Sequence, residues 1–134
     1  MRTRFLMSSS AVFMAAAGAC ATFLPQELLV KSGCEHCGPL AVLLVQTAGA
    51  LYLGFAILNW MARTYLMGGI YGRPVALGNL LHFAVVAITL WKAVIGGSLR
   101  TTEIVAACLI YSVFAAWFGF AVFTHPIQNQ LESR

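Results

Sequence analysis

Four stretches without a charged residue, at 5–24, 39–62, 75–91 and 104–124, constrain this chain more than any other feature. A helix needs roughly 20 apolar residues to cross about 30 Å of hydrocarbon, and each stretch has that length or nearly so. Lipid offers the backbone no hydrogen bonds, so segments buried in it are helical. The third stretch extends to residue 96 when Lys92 reaches the membrane surface with its ammonium group. The sequence therefore predicts four transmembrane helices, at about 5–24, 39–62, 75–96 and 103–124.

The composition agrees with burial in lipid. Hydrophobic residues make up 60% of the 134 residues and charged residues 9%, against roughly 45–50% and about 25% in soluble domains. A soluble fold would have too few polar residues to cover its surface. We therefore predict an all-α membrane fold, a four-transmembrane-helix bundle with antiparallel up-down neighbours, in a single domain over 1–134. The net charge of +4 lies mostly at segment ends, which predicts contact with membrane lipid and no nucleic-acid partner.

The basic residues predict an orientation. Five share one side of a four-helix topology: Arg2, Arg4, Arg63, Arg73 and Arg134. Three lie on the other side: Lys31, Lys92 and Arg100. Because cytoplasmic loops carry the excess of Lys and Arg, both termini are predicted to be cytoplasmic. We expect the cell's inner (plasma) membrane, with the loop that contains Cys34 and Cys37 on the periplasmic or exterior side.

The first segment also fits a cleavable signal peptide, because Arg2 and Arg4 precede an apolar run and several small residues. The sequence around Cys20 resembles a lipoprotein cleavage box but lacks a Leu three positions before the cysteine. We expect the segment to be retained as the first helix. Cleavage would leave three helices and place the amino terminus outside.

Small residues at helical spacing predict where the helices pack, because close backbone approach drives association in lipid. The first helix has such a face at Ala11, Ala15, Gly18 and Thr22. The fourth has one at Cys108, Ser112, Ala115 and Gly119. The second has the pair Ala50 and Gly54. The large residues of the fourth helix are predicted to face mainly lipid or the headgroup boundary: Phe114, Trp117, Phe118 and Phe120.

Polar residues in the second and third helices form the main candidate site. Polar groups are costly within a membrane and usually face the inside of a bundle. One interpretation is that they only join these two helices by hydrogen bonds. The other is a small polar pocket between them, open to the cytoplasmic side, with arginines that hold a headgroup or another anion. The candidate pocket consists of Tyr52, Asn59, Trp60, Arg63, Arg73, Asn79 and His82.

Cys34 and Cys37 form a Cys-x-x-Cys pair just before the second helix. In an oxidising compartment such a pair is a stabilising disulfide, a redox pair or, with His36, part of a metal site. A zinc site needs four ligands, so we predict no metal site. A pair at this position resembles the membrane thiol oxidoreductases that pass electrons to quinone. The loop between the third and fourth helices lacks the second cysteine pair that those enzymes use.

Two runs carry a second resemblance, 49–62 (GALYLGFAILNWMA) and 68–79 (GGIYGRPVALGN), the latter followed by His82 and Phe83. They are similar to a family of small four-helix bacterial integral membrane proteins with no known activity. The resemblance implies an architecture and no reaction. The cysteine pair lies outside the residues that carry it.

These observations favour a non-enzymatic role. The chain is expected to be an accessory subunit, or to bind a lipid or small hydrophobic molecule in the polar pocket, and no cofactor is predicted. Expected partners are membrane lipid, other membrane subunits or further copies of the chain. The alternatives are a thiol-disulfide oxidoreductase that uses Cys34 and Cys37, and a small transporter or homo-oligomeric pore. No Asp or Glu lies within the four charge-free stretches, which argues against a carboxylate proton relay.

Overall fold

The computed structural model describes residues 2–34, 36–64, 72–97 and 101–124, and within them every regular element is a helix. The helices are α1 (Arg2–Phe23), α2 (Pro25–Lys31), α3 (Pro39–Ala62), α4 (Gly72–Ile95) and α5 (Thr102–Thr124). All except α2 are long and apolar enough to cross a membrane. The prediction of an all-helical chain with four long apolar helices is confirmed. The single domain, the four-helix bundle and the side of the termini remain predictions.

Proline explains two differences between the predicted and observed helices. The predicted helices leave Pro25 in the connection after the first span, but it begins α2, a short helix that was not predicted. The first position of a helix suits proline because its missing N–H would have no partner there. Pro74 was likewise expected to precede the third span, whereas it lies in the first turn of α4, which begins at Gly72. Both prolines therefore occupy helix starts.

The first compact unit, Met1–Thr64, contains α1, α2 and α3. Ser10 of α1 meets Asn59 of α3, and Gly18 meets Gly49. The partner's number falls along α3 as the number rises along α1, so the two helices run antiparallel. The connection that contains α2 and the cysteine pair consequently lies at one end of this helix pair.

Two glycines allow α1 and α3 to touch backbone to backbone. A Cβ atom added to Gly18 would lie 2.9 Å from both the Gly49 carbonyl oxygen and the Leu53 nitrogen. One added to Gly49 would lie 2.7 Å from the Thr22 nitrogen and 2.9 Å from the Gly18 oxygen. Neither position has room for a side chain, so the small-residue contact expected in lipid is present here.

The second compact unit, Tyr65–Arg134, contains α4 and α5. The Trp91 Nε1–H donates to Ser112 Oγ over 3.0 Å, and Leu80 lies close to Gly119. These pairs also run in opposite directions, so α4 and α5 are antiparallel.

Aromatic rings form the centre of the second unit. Phe83 of α4 is fully buried. Its ring stacks on those of Phe114 and Phe118, with centroids 4.8 and 5.6 Å away, and lies 5.5 Å from the ring of Tyr111. The three α5 aromatics recur at i, i+3 and i+7, which is one face of a helix.

Two packing predictions need correction. Phe118 was expected to face lipid, but it is fully buried because it stacks on Phe83, whereas Phe120 is 63% exposed as expected. On α3, Gly49 makes the close contact in the first unit, while nothing lies within 4 Å of a Cβ atom added to Gly54. On α5, small residues and aromatic rings both pack on α4, since Ser112 bonds to Trp91 and Gly119 lies close to Leu80.

Candidate functional site

The connection between α2 and α3 fixes the position of Cys34. After the last turn of α2, Gly33 adopts a φ of 90°, a conformation that glycine takes without a steric penalty. The Gly33 N–H donates to the Val30 carbonyl and the Cys34 N–H to the Leu29 carbonyl, both over 3.0 Å. This pair of bonds is the Schellman motif, which ends a helix by satisfying its last carbonyl groups. Cys34 is therefore held against the carboxyl end of α2.

Cys37 lies at the other helix end. It directly precedes Gly38, the N-cap residue of α3. The structure joins the sulfur atoms of Cys34 and Cys37 in a disulfide, with the Cα atoms 5.6 Å apart. Both cysteines are partly exposed, and His36 between them is exposed. The result is an accessible disulfide between the end of one helix and the start of the next.

Asn59, one of the seven candidate pocket residues, serves the packing of α1 and α3. Its side chain is fully buried. The Nδ2 group donates to Ser10 Oγ over 3.1 Å and contacts Met14 Sδ at 3.6 Å. The Ser10 hydroxyl in turn donates to the Met7 carbonyl over 3.0 Å. The amide of Asn59 is thus part of a buried polar network within the first unit.

Arg63 and Trp60 form a more accessible pair at the carboxyl end of α3. The Arg63 Cζ atom lies 3.6 Å from the centroid of the Trp60 ring, which is cation–π geometry. Trp60 is 49% exposed and Arg63 is partly exposed. Tyr52, two turns earlier on α3, is also partly exposed. An indole and a guanidinium at the end of a span are the groups that membrane interfaces favour.

The other three candidate residues lie on α4 in the second unit. Arg73 is partly exposed in the first turn. Asn79 is fully buried, and its Nδ2 group donates to the Val75 carbonyl of its own helix over 2.9 Å. His82 is partly exposed, with its ring centroid 6.1 Å from that of Tyr111. Of these three residues, Asn79 is therefore buried, while Arg73 and His82 remain partly accessible.

The structure brings together only those candidate residues that share a unit. Trp60 and Arg63 touch directly within the first unit. A pocket formed jointly by residues of α3 and α4 remains a prediction, because α3 belongs to the first unit and α4 to the second. In the sequence, a glycine-rich loop at 67–74 is the candidate gate of such a pocket, and its residues 67–71 lie outside the described part of the chain. Among the described residues, no three His, Cys, Asp or Glu side chains lie close enough together to hold a metal ion.

Two features at these sites were not predicted from the sequence. The first is Ser10 as the partner of Asn59, because a serine in the run 8–10 carries no signal for a partner 49 residues away. The second is Phe83 as the centre of the second unit. The spacing of Tyr111, Phe114 and Phe118 could have indicated an aromatic face on α5, but aromatic residues in a span are equally expected at the lipid boundary.

Comparison of the chain with protein families, with curated proteins and with solved structures gives no match. The resemblance of 49–62 and 68–79 to small bacterial membrane proteins therefore stays an expectation. What the fold itself defines is a multi-pass membrane protein with four apolar helices.

Proposed function

We propose that this chain is an accessory protein of the membrane that binds an anionic phospholipid at the carboxyl end of α3. The observation that carries the proposal is the Arg63 guanidinium held 3.6 Å above the half-exposed ring of Trp60. Indole rings prefer the headgroup level of a bilayer, which would place this pair beside lipid phosphates.

The chemistry of arginine supports a phosphate ligand. A guanidinium is always charged and presents several N–H donors in a planar fork, which matches the oxygens of a phosphate. Stacking on Trp60 restricts the Arg63 side chain before a ligand arrives, so less conformational freedom is lost on binding. The chain carries eight Lys and Arg against four Asp and Glu, so a lipid phosphate meets little competition from carboxylates.

The direct test is native mass spectrometry of the full-length protein from mild detergent, after incubation with phosphatidylglycerol or phosphatidylcholine. The wild type should retain the anionic lipid in preference to the zwitterionic one. Arg63→Gln should weaken retention of phosphatidylglycerol roughly fivefold, because one basic residue near a membrane surface contributes about 1 kcal/mol. Trp60→Leu should weaken it less, since the guanidinium remains.

Arg4→Gln is the matched control. Arg4 is exposed, lies on the same predicted side and carries the same charge. It should weaken retention by less than Arg63→Gln does, because it removes only the general attraction of a basic residue and leaves the guanidinium on Trp60 in place. Equal losses in Arg4→Gln and Arg63→Gln, or equal retention of both lipids by the wild type, would contradict the proposal. The same spectra report copy number, so a ring of identical chains would favour the homo-oligomeric pore instead.

A further inference from the structure

The Cys34–Cys37 disulfide adds less to the stability of the fold than a disulfide that closes a longer loop would. A disulfide stabilises a fold mainly by restricting the unfolded chain, and the effect grows with the length of the loop it closes. Cys34 and Cys37 are separated by only three positions. The Schellman bonds from Gly33 and Cys34 already define the exit of α2. A chemical role is therefore the better explanation of the pair, and the partly exposed position of both cysteines allows a partner to approach.

The two sulfur atoms lie in different electrostatic surroundings. Cys37 directly precedes the amino end of the 24-residue helix α3, where the helix dipole favours a negative charge. Cys34 follows the carboxyl end of α2, where carbonyl groups disfavour one. The Cys34 N–H is also committed to the Leu29 carbonyl, so it cannot stabilise a sulfur anion. A thiolate is therefore better accommodated on Cys37 than on Cys34.

We propose that Cys34–Cys37 is an exchangeable disulfide that accepts two electrons from the dithiol of a partner protein, with Cys34 as the attacked sulfur and Cys37 as the leaving group. This site is separate from the proposed lipid site at Arg63 and does not depend on it. The better leaving thiolate departs faster in thiol–disulfide exchange, which sets the direction of attack.

The exchange balances without a further reagent. A partner thiolate attacks Cys34 Sγ, a mixed disulfide forms, the Cys34–Cys37 bond breaks and Cys37 leaves as a thiolate. The second thiolate of the partner then attacks the partner's first sulfur atom in the mixed disulfide, and Cys34 leaves as a thiolate. The partner ends as a disulfide, and Cys34 and Cys37 end as thiols carrying the two protons that the partner lost. Exchange with the disulfide of another protein reverses these steps and restores the pair.

The test locates the first mixed disulfide. The oxidised full-length protein in mild detergent is treated with limiting reduced glutathione, quenched with acid, alkylated with N-ethylmaleimide and mapped by mass spectrometry. Glutathione should appear on Cys34 and N-ethylmaleimide on Cys37. Cys20 is exposed and outside the disulfide, so it serves as an internal control that gains only N-ethylmaleimide. Glutathione on Cys37, or no adduct on the folded protein under conditions that modify its proteolysed form, would overturn the proposal.

Single-cysteine variants provide a second measurement. The Cys37 thiol of Cys34→Ser should react with iodoacetamide at neutral pH roughly two- to fivefold faster than the Cys34 thiol of Cys37→Ser, the effect expected of a helix end. Equal rates or the reverse order would remove the assigned asymmetry. Neither variant should alter the retention of phosphatidylglycerol, so failure here is distinguishable from failure of the lipid proposal.

Discussion

At the scale of single residues, the polar side chains within the spans have different roles. Asn59 and Asn79 are both fully buried, and each has a hydrogen bond inside its own unit. Trp60 and Arg63 retain exposed surface at the end of α3. The buried amides therefore contribute to packing, while the exposed pair is available to a ligand.

The bond between Asn59 and Ser10 should couple α1 to α3. A double-mutant cycle of Asn59→Ala and Ser10→Ala, read by thermal unfolding in detergent, should give a coupling free energy of about 0.6–1.7 kcal/mol, the range found for hydrogen bonds between membrane helices. Thr47→Val serves as a control, because Thr47 is exposed and bonds only to the Leu43 carbonyl of its own helix. Additive effects of the two mutations would show that the bond contributes nothing.

The sequence indicated that the Asn59 side chain forms a hydrogen bond, but not which residue is its partner. An amide in a span is expected to find a hydrogen-bond partner, and that inference needs only the residue type and its position. Whether Ser10 is that partner depends on the axial register of α1 against α3. The backbone contact between Gly18 and Gly49 is part of that register.

At the scale of helices, length and the absence of charge were sufficient to predict α1, α3, α4 and α5. The thickness of the hydrocarbon layer sets the required length and its apolarity excludes charge, so neither property depends on the neighbouring helices. The short helix α2 has no such signal, because seven residues beginning at Pro25 resemble a loop as much as a helix. Packing faces were predicted only in part, since the burial of Phe118 and the close contact of Gly49 depend on the partner helix.

The contact between α1 and α3 should not tolerate a methyl group at Gly49. Its added Cβ atom would meet the backbone of Thr22 and Gly18, which cannot move without separating the helices. Gly49→Ala should therefore lower the free energy of unfolding by roughly 1–3 kcal/mol, as other overpacked positions do. Thermal unfolding of the wild type and the variant in detergent measures this loss of stability.

Gly54→Ala is the matched control on the same helix. An added Cβ atom there has nothing within 4 Å, so the change should be neutral or slightly stabilising, by up to about 1 kcal/mol of helix propensity. A loss of stability at Gly54 equal to that at Gly49 would mean that the glycines act through the helix backbone and not through the contact.

At the scale of the whole molecule, the four long apolar helices make this chain a multi-pass membrane protein. Their outer surfaces fit that environment, since large apolar side chains are exposed on every long helix, including Val12, Leu51, Ile88 and Val113. The prediction of four crossings puts both termini on one side. It also predicts that the cysteine pair and the carboxyl end of α3 lie on opposite sides.

Impermeant thiol labelling of intact cells tests this claim most directly. In a Cys20→Ser chain treated with reductant, a membrane-impermeant maleimide should label Cys34 and Cys37 without permeabilisation. In a second chain, Thr64→Cys with Cys20, Cys34 and Cys37 changed to Ser, the same reagent should label the introduced thiol only after permeabilisation. The reverse pattern would retain the crossing of α3 and correct only its orientation. Labelling of both positions from the same side would contradict the transmembrane path of α3, and with it the four-span account.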